Sequence, residues 1–361
     1  MSRSRFLLAG ALLALLTACA PGAGDPPGGD AGPGGGYAYL KVEFGQSWLD
    51  TKSTLVVMDG TRRIGSAELL LGTGPLYTAD GRFVFTAATI GDTITAISTE
   101  TGAVSTVPCE DCGDTDMNCL CQMVVPVGGS AVAWLDKKGR LVTADLSASP
   151  AVPVESGTVV PLEDGFLDEK LYPALLAGRD GVALAAYPTN DRPADEPTPA
   201  YLVTPGEEPR RLDVDRPDAM EIAAFSPDGT AVAVGGEREY VCATLTLADV
   251  GTGGGTTSPL RAAQGVTCET QDAFVDELWW ERDGSLNAYY EESDGGQGGD
   301  DVHARFDGTR WAPAGVDLNR QTRVLATGAS VVLDDWALSL AGDGTSVAVD
   351  TEVRHVVAAP G

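Results

Sequence analysis

Cysteine is the residue type with the most specific chemistry in this chain, and its spacing predicts cross-links. Six cysteines follow the first hundred residues: Cys109, Cys112, Cys119, Cys121, Cys242 and Cys268. An even number of cysteines in an exported chain favours disulfides. Because neighbours one residue apart bridge poorly, we expect the first two to pair with the third and fourth, and Cys242 to pair with Cys268. A zinc site with four thiolates is the alternative for the first four.

A second cluster could bind a metal ion through oxygen atoms. Asp114, Asp116 and Asn118 have the spacing that brings three oxygen ligands onto one calcium ion. However, Cys119 stands where the helix-loop-helix calcium motif requires glycine, and Val125 stands where it requires glutamate. We therefore predict an acidic, solvated turn and no bound cofactor, with a calcium loop as the alternative.

Histidine, the residue that most often acts as a general base, is scarce in this chain. The only histidines are His303, on a predicted strand, and His355. The chain contains no Gly-x-Ser-x-Gly nucleophile turn, no phosphate-binding glycine loop with its lysine and no His-Glu-x-x-His motif. We predict no catalytic residue, which favours a binding protein over an enzyme.

Four aromatic residues could offer a surface on which a sugar stacks. They are Trp279, Trp280, Tyr289 and Tyr290. Aromatic side chains on strands more often pack in the core of a sheet protein, and we expect that role for these four.

The N-terminus predicts export and a lipid anchor. Arg3 and Arg5 precede an apolar run at residues 6–16, which is too short for a helix that spans a hydrocarbon layer of about 30 Å. Residues 16–19, Leu-Thr-Ala-Cys, resemble the bacterial lipoprotein box. The resemblance implies that residues 1–18 are removed and that Cys19 carries a diacylglycerol at the extracytoplasmic face of the cell membrane. An ordinary signal peptide is the alternative.

A flexible segment follows the predicted lipid site. Residues 20–36 contain eight glycines and four prolines and no large apolar side chain, so they cannot offset their chain entropy by burial. We predict that residues 19–36 are a lipidated tether with a reach of about 20–25 Å, and that residues 37–361 are one folded domain.

The charge of the chain limits its partners. Its formal net charge is −28, and removal of the signal segment takes away two further positive charges. A field of this sign repels nucleic acid and anionic lipid. The expected partners are the membrane, through the lipid, and an envelope protein or peptide. We expect the protein to be a monomer.

A unit of apolar strand, glycine turn and apolar strand recurs six times. Its turn glycines are Gly81, Gly129, Gly181, Gly229, Gly284 and Gly344. Their spacing of 48 to 60 residues is enough for four short strands with their turns. A second hairpin follows most of these units, so the repeat predicts a four-stranded antiparallel blade.

One copy of the repeat has a specific sequence. Residues 225–229, Phe-Ser-Pro-Asp-Gly, resemble the strand-turn signature of TolB-like and WD-type propeller repeats. The resemblance implies an all-β propeller, a closed ring of blades. We predict six blades, with seven as the alternative because residues 323–333 could form another hairpin. The hairpin at residues 54–64 should complete the last blade and close the ring.

The blade topology also predicts a binding face. If strands a to d run outward, the b–c and d–a connections share one face, and the acids of the long connections should lie there: Asp111, Asp114, Asp116, Asp191, Asp195, Glu196, Asp294, Asp300 and Asp301. This face should be the more negative one and attract a basic partner or a divalent cation. The leading hypothesis is a non-enzymatic binding or scaffold module. The alternative is a propeller enzyme that acts on an extracellular sugar or ester, assisted by calcium.

Overall fold

All regular elements in the described part of the chain are β-strands. The computed structural model describes residues 35–45, 51–88, 92–110, 112, 124–164, 170–187, 199–213, 220, 222–238, 242–259, 272–281, 283–293, 300–306, 311–313 and 320–360. Among these residues there is no helix long and apolar enough to cross a membrane.

The first three strands form an antiparallel meander, in which neighbours along the chain are neighbours in the sheet. They are β1 (Gly36–Glu43), β2 (Lys52–Asp59) and β3 (Arg62–Leu70). The side chains of Leu55, Val56, Val57 and Met58 on β2 are all buried, with no inside–outside alternation. Burial on both faces of a strand means that another layer packs on each side of its sheet.

Three four-stranded antiparallel sheets, blades I to III, come next. Blade I contains β4 (Leu76–Tyr77), β5 (Phe83–Ala87), β6 (Thr93–Ser98) and β7 (Val104–Pro108). Blade II contains β8 (Val125–Gly128), β9 (Ala131–Leu135), β10 (Arg140–Asp145) and β11 (Val154–Val159). A small hairpin, β12 (Glu163–Asp164) and β13 (Lys170–Leu171), precedes the third sheet. Blade III contains β14 (Ala174–Arg179), β15 (Val182–Ala186), β16 (Ala200–Val203) and β17 (Arg210–Arg211).

Blades IV to VI repeat the same meander. Blade IV contains β18 (Ile222–Phe225), β19 (Ala231–Arg238), β20 (Cys242–Asp249) and β21 (Gly255–Pro259). Blade V contains β22 (Asp272–Trp280), β23 (Leu286–Ser293), β24 (Asp300–Phe306) and β25 (Trp311–Pro313). Blade VI contains β26 (Arg320–Val324), β27 (Ser330–Asp334), β28 (Ala337–Gly342) and β29 (Thr345–Asp350).

Blade VII joins the two ends of the domain. The last strand, β30 (Val353–Ala358), pairs with β1, which gives the strand order β30-β1-β2-β3 from the inside outward. Its neighbours are blade VI, which β30 contacts, and blade I, which β3 contacts, so the seven sheets close into a ring. The fold is a seven-bladed β-propeller, and the predicted closure by the N-terminal hairpin is confirmed.

The number of blades is seven, where the turn glycines favoured six. Five of the six predicted turns do join the first two strands of a blade, but Gly344 joins β28 to β29, the outer two strands of blade VI. The inner turn of that blade is at Gly328, inside the hairpin at residues 323–333 that made seven the alternative. A hairpin looks the same in sequence whether it is the inner or the outer one, because the difference depends on which sheet lies beside it.

The ring has two faces with different connections. The a–b and c–d turns lie on one face, which we call the turn face, and the b–c and d–a connections lie on the other, the loop face. The first strands of neighbouring blades contact one another, as β8 contacts β14 and β14 contacts β18, so they are the innermost strands and surround the axis.

The turn at residues 225–229, which has the specific repeat sequence, is held by a hydrogen bond that recurs in the less similar turn of blade I. Ser226 Oγ donates a hydrogen bond of 2.6 Å to Asp228 Oδ1 and accepts one of 2.9 Å from the backbone of Ala231. In blade I, Thr78 Oγ1 likewise donates to Asp80 Oδ1 at 2.7 Å. Glycine follows each aspartate at positive φ, +70° at Gly229 and +69° at Gly81, where a side chain would be strained. The hydroxyl therefore completes a tight turn that any Ser/Thr-x-Asp-Gly segment can form.

Candidate functional site

Most residues that the sequence selected lie outside the described part of the chain. These are Cys19, Asp111, Asp114, Asp116, Asn118, Cys119, Cys121, Asp191, Asp195, Glu196, Cys268 and Asp294. Cys242 begins β20, and Asp300 and Asp301 begin β24, but only the backbone of these three residues is described. The lipid on Cys19, the bridge from Cys242 to Cys268 and the calcium loop therefore stay predictions.

The strand connectivity agrees with the topology on which the binding-face prediction was based. The connection from β7 to β8 is a d–a link, and those from β15 to β16 and from β23 to β24 are b–c links, so all three begin and end on the loop face. The turn face has carboxylates of its own at Asp80, Asp228 and Asp283. Which face is the more negative stays a prediction.

The predicted cysteine pairing is wrong for the first two cysteines. Cys109 and Cys112 are bonded to each other, with their Cα atoms 5.4 Å apart. Both are buried in the apolar cluster between blades I and II, close to Trp134, whose Nε1 donates a hydrogen bond of 3.2 Å to the Glu110 carbonyl. A separation of three residues is compatible with a bridge when the chain turns back at once, which spacing alone did not indicate.

An exposed cation–aromatic stack lies on the loop face. The guanidinium carbon of Arg354 is 3.6 Å from the centre of the Trp336 ring and 4.9 Å from that of Phe44. The two rings are 5.8 Å apart and tilted by 38°. Phe44 is 59% exposed and Trp336 is 43% exposed. We call these three residues the loop-face stack; the sequence reasoning missed them.

Three elements from two blades position the loop-face stack. Trp336 occupies the tight b–c turn between β27 and β28, at a positive φ of +66° that is uncommon for a bulky residue. Its carbonyl accepts a hydrogen bond of 3.0 Å from the backbone of Val353, the residue before Arg354 on β30. Phe44 directly follows β1 at the same face. The turn and the ring closure therefore hold the indole over the guanidinium.

Charged residues lie beside the loop-face stack. Lys41 Nζ is 3.4 Å from carboxylate oxygens of both Asp350 and Glu352 at the end of blade VI. Burial lowers the pKa of Arg354, but the guanidinium keeps its charge at any physiological pH. The loop face thus presents two large aromatic side chains, a guanidinium and a small ion-pair network.

A polar interface between blades V and VI is the second candidate site. In the described residues, six apolar clusters fill six of the seven interfaces between neighbouring blades. The remaining interface, which we call the polar seam, is lined by Glu277, Trp279, Asn287, His303 and Arg323. Of the aromatic residues predicted to form core, Trp280 packs in the cluster between blades IV and V, whereas Trp279 belongs to the polar seam.

Arg323 is the centre of the polar seam. Its Nη2 donates to Glu277 Oε1 across the two blades, and its guanidinium carbon is 3.9 Å from the centre of the Trp279 ring. The His303 ring is 5.0 Å from the same indole, and its Nε2 is 3.1 Å from Asn287 Oδ1. Trp279 and Arg323 each lie near the turn-face end of their strands. The polar seam is therefore nearer to the turn face, whereas the loop-face stack is on the other face of the ring.

Both histidines of the chain are near the polar seam and are neutral at pH 7. Burial, together with the charge of Arg323, lowers the pKa of His303 to about 4. Burial also lowers the pKa of His355, on β30, and the charges of Glu277 and Arg323 act on it as well. His355 is on an innermost strand, has protein on several sides and is nevertheless accessible to solvent. We infer that it lines the central channel of the ring.

The described residues contain no group of three or more His, Cys, Asp or Glu side chains arranged to hold a metal ion. This finding leaves the calcium prediction untested, because its three ligands lie outside the described ranges.

Comparisons with known proteins agree with the fold. No protein-family model and no curated protein matches the chain. A proposed 6-phosphogluconolactonase from Bacteroides fragilis matches with a TM-score of 0.56 and 14% identity, covering 92% of this chain and 99% of that one. A second one, from Bacteroides uniformis, gives 0.55 and 14%, covering 90% and 99%. TolB from Acinetobacter baumannii gives 0.46 and 13%, covering 91% and 67%. The first two matches show a shared propeller fold and nothing about activity.

Proposed function

We propose that this protein is a lipid-anchored, extracytoplasmic β-propeller that binds a protein or peptide of the cell envelope through its loop face. The observation that supports binding there is the loop-face stack, in which two exposed aromatic rings lie beside each other and both contact an arginine. Trp, Tyr and Arg contribute most to the affinity of protein interfaces, and Phe is also enriched there. Isolated exposed apolar residues are ordinary, but two exposed aromatic rings that contact each other and an arginine on one face are a pattern typical of binding sites.

The energetic cost of holding Trp336 supports the same proposal. A bulky side chain at positive φ costs about 1 kcal/mol or more, and Trp336 bears this cost although 43% of its surface stays exposed. Rings that are held rigidly before a partner arrives lose little conformational entropy on binding.

The net charge supports a protein or peptide as partner over nucleic acid. A chain with a net charge of −28 repels phosphate backbones and attracts basic segments. Association with a basic partner should weaken with added salt, because charges beyond a Debye length of about 8–10 Å are screened. Neutralising Asp300 and Asp301 at the start of β24 should then slow association, whereas neutralising Asp343, an exposed acid in the c–d turn of blade VI on the turn face, should not.

The test is a comparison of partners captured from intact envelopes. Wild-type protein, Trp336→Ala, Arg354→Ala and the control Val347→Ala would be cross-linked in membranes, and captured proteins quantified by mass spectrometry. Val347 is an exposed apolar residue on the outer strand β29, away from the loop-face stack. We expect a partner that the wild type and the control retain and both stack variants lose. The partner would then be purified and its affinity measured, with a loss of tenfold or more expected for Trp336→Ala.

Equal capture by all four proteins would contradict binding at the loop-face stack. Turnover of an extracellular sugar lactone or ester by the purified protein, unaffected by Trp336→Ala, would instead support the enzyme alternative.

A further inference from the structure

The polar seam lies near the turn-face ends of its strands, and its composition sets it apart from the other blade interfaces. Six interfaces between blades are apolar in the described residues, and this one is not. Polar groups in a protein interior are costly unless each one has a partner. An interface that remains polar within an apolar ring therefore indicates a role beyond packing.

Arg323 has an unused hydrogen-bond donor in this interior. The residue is only 6% exposed, and Nη2 is bound to Glu277. Its other terminal nitrogen, Nη1, is buried and has no acceptor among the described residues, and the same holds for Nδ2 of Asn287. Both unpaired atoms are donors, so the group that completes them must be an acceptor.

The unpaired donor of Arg323 favours an anionic acceptor. It belongs to a guanidinium, and a hydrogen bond from a charged donor to an anion is roughly twice as strong as one between neutral groups. The second guanidinium that acts on His303 is that of Arg305, and its charge is balanced by Asp283 in the a–b turn of blade V. The polar seam therefore contains one ion pair, Arg323 with Glu277, and one open position on its cation.

The polar seam is accessible from the axis of the ring. Glu277 lies on β22 and His355 on β30, which are innermost strands. The Glu277 side chain is 28% exposed and His355 is exposed, so solvent reaches the open side of the ion pair. A small molecule in the central channel can therefore approach the guanidinium without separating the blades.

We propose that the polar seam binds a small organic carboxylate that enters from the central channel, with one carboxylate oxygen accepting a hydrogen bond from Nη1 of Arg323. The guanidinium then bridges two carboxylates, because Nη2 keeps its bond to Glu277. A guanidinium binds both carboxylates and phosphates. A monocarboxylate brings one charge and two oxygens into this partly buried place, whereas phosphate brings more charge and four oxygens, whose loss of water the two unpaired donors would not offset. This proposal does not depend on the loop face or on the lipid anchor.

The test uses acetate, lactate and hexanoate as probes, with chloride and inorganic phosphate at equal ionic strength as comparisons. Residue-specific NMR would follow the side-chain N–H signals of Arg323 and Trp279 during each titration. We expect saturable shifts with at least one monocarboxylate and none with chloride. Arg323→Met should abolish the response and Arg323→Lys should weaken it at least tenfold. The matched control is Arg140→Met, which removes a guanidinium that pairs with Asp136 and Glu155 in blade II.

Several results would overturn the proposal. They are a response to carboxylates that persists in Arg323→Met, a response that also disappears in Arg140→Met, and the absence of any saturable shift in the wild type. Saturation by phosphate but by none of the carboxylates would show that the ligand class is wrong. If Arg323→Met does not fold, Arg323→Lys and the wild-type titrations test the proposal, and an undiminished response in Arg323→Lys would then contradict it. Trp336→Ala should leave the carboxylate response unchanged, which separates this result from the outcome at the loop face.

Discussion

Tyr39 Oη donates a hydrogen bond of 2.8 Å to Asp350 Oδ2, across 311 residues of sequence. Tyr39 lies on β1, in the N-terminal part of blade VII, and Asp350 ends β29, the outer strand of blade VI. The same tyrosine packs in the apolar cluster between these two blades. One side chain thus contributes an apolar and a polar contact to the closure of the ring.

Tyr39→Phe should destabilise the ring by about 1–3 kcal/mol, because it removes a hydrogen bond to a carboxylate and leaves Asp350 with one partner fewer. Urea denaturation would measure the change in the free energy of unfolding. Tyr172→Phe, which removes a hydroxyl from an exposed tyrosine, serves as the control and should be neutral. Equal effects of the two variants would contradict a role of the Tyr39 hydroxyl in closure.

Trp336→Gly should be more stable than Trp336→Ala by about 1 kcal/mol, because both variants lose the indole and only glycine relieves the positive φ. At Val347, in an extended strand, the order should reverse, with the glycine variant about 0.5–1 kcal/mol less stable than the alanine variant. Thermal unfolding of the four variants tests this. If alanine and glycine are equivalent at position 336, the turn is not strained.

Mass spectrometry of the non-reduced protein should recover a peptide in which Cys109 is joined to Cys112. The two cysteines are bonded and buried, so the bridge should resist mild reductants that open exposed bridges. A bridge from Cys109 to Cys119 or Cys121 would restore the pairing expected from the sequence. Free thiols that retain zinc would instead support the metal alternative.

Cys19→Ala should abolish acylation and the removal of residues 1–18 by the lipoprotein route, because the variant lacks the sulfur that accepts the lipid. Fractionation of cells and detection of the acyl group by mass spectrometry would measure this. Cys242→Ala is the control and should remain membrane-bound. A Cys19→Ala variant that is as membrane-bound and as acylated as wild type would show that the lipoprotein assignment is wrong.

Stability should fall as the pH decreases from 6.5 to about 4, in part because of His303. In the unfolded chain histidine binds a proton near pH 6.5, whereas the folded chain holds the pKa of His303 at about 4. Between these values the unfolded state binds the additional proton, so acid favours unfolding. His303→Gln keeps a hydrogen-bonding side chain without titrating and should lose less stability over this range. If the urea midpoints of the variant and the wild type change by the same amount over this pH range, the lowered pKa of His303 is contradicted.

The all-β class, the blade repeat and the closing hairpin were predictable because their signals are local. A turn such as Ser226 to Gly229 specifies a hairpin within a few residues, and strands of alternating or continuous apolar residues surround it. The closing hairpin was predictable because two strands at one end of the chain leave an unpaired edge, which strands from the other end can cover to complete a four-stranded blade.

The number of blades and the partner of Cys109 were decided by the tertiary structure. Gly328 and Gly344 both form tight turns, and only the neighbouring sheets show that the first is an inner turn and the second an outer one. The spacing of the cysteines was compatible with several pairings, and the local course of the chain selected Cys112.

The two candidate sites were beyond prediction from sequence for the same physical reason. Phe44 and Arg354 are separated by most of the chain, and they meet only because β1 and β30 pair. Arg323 and Glu277 are on different blades, and their contact depends on how two separately formed sheets pack. Local propensity and turn chemistry act over a few residues and so determine strands, hairpins and repeats. Contacts between distant side chains require the ring to close, and therefore only the tertiary structure decides where this propeller can bind.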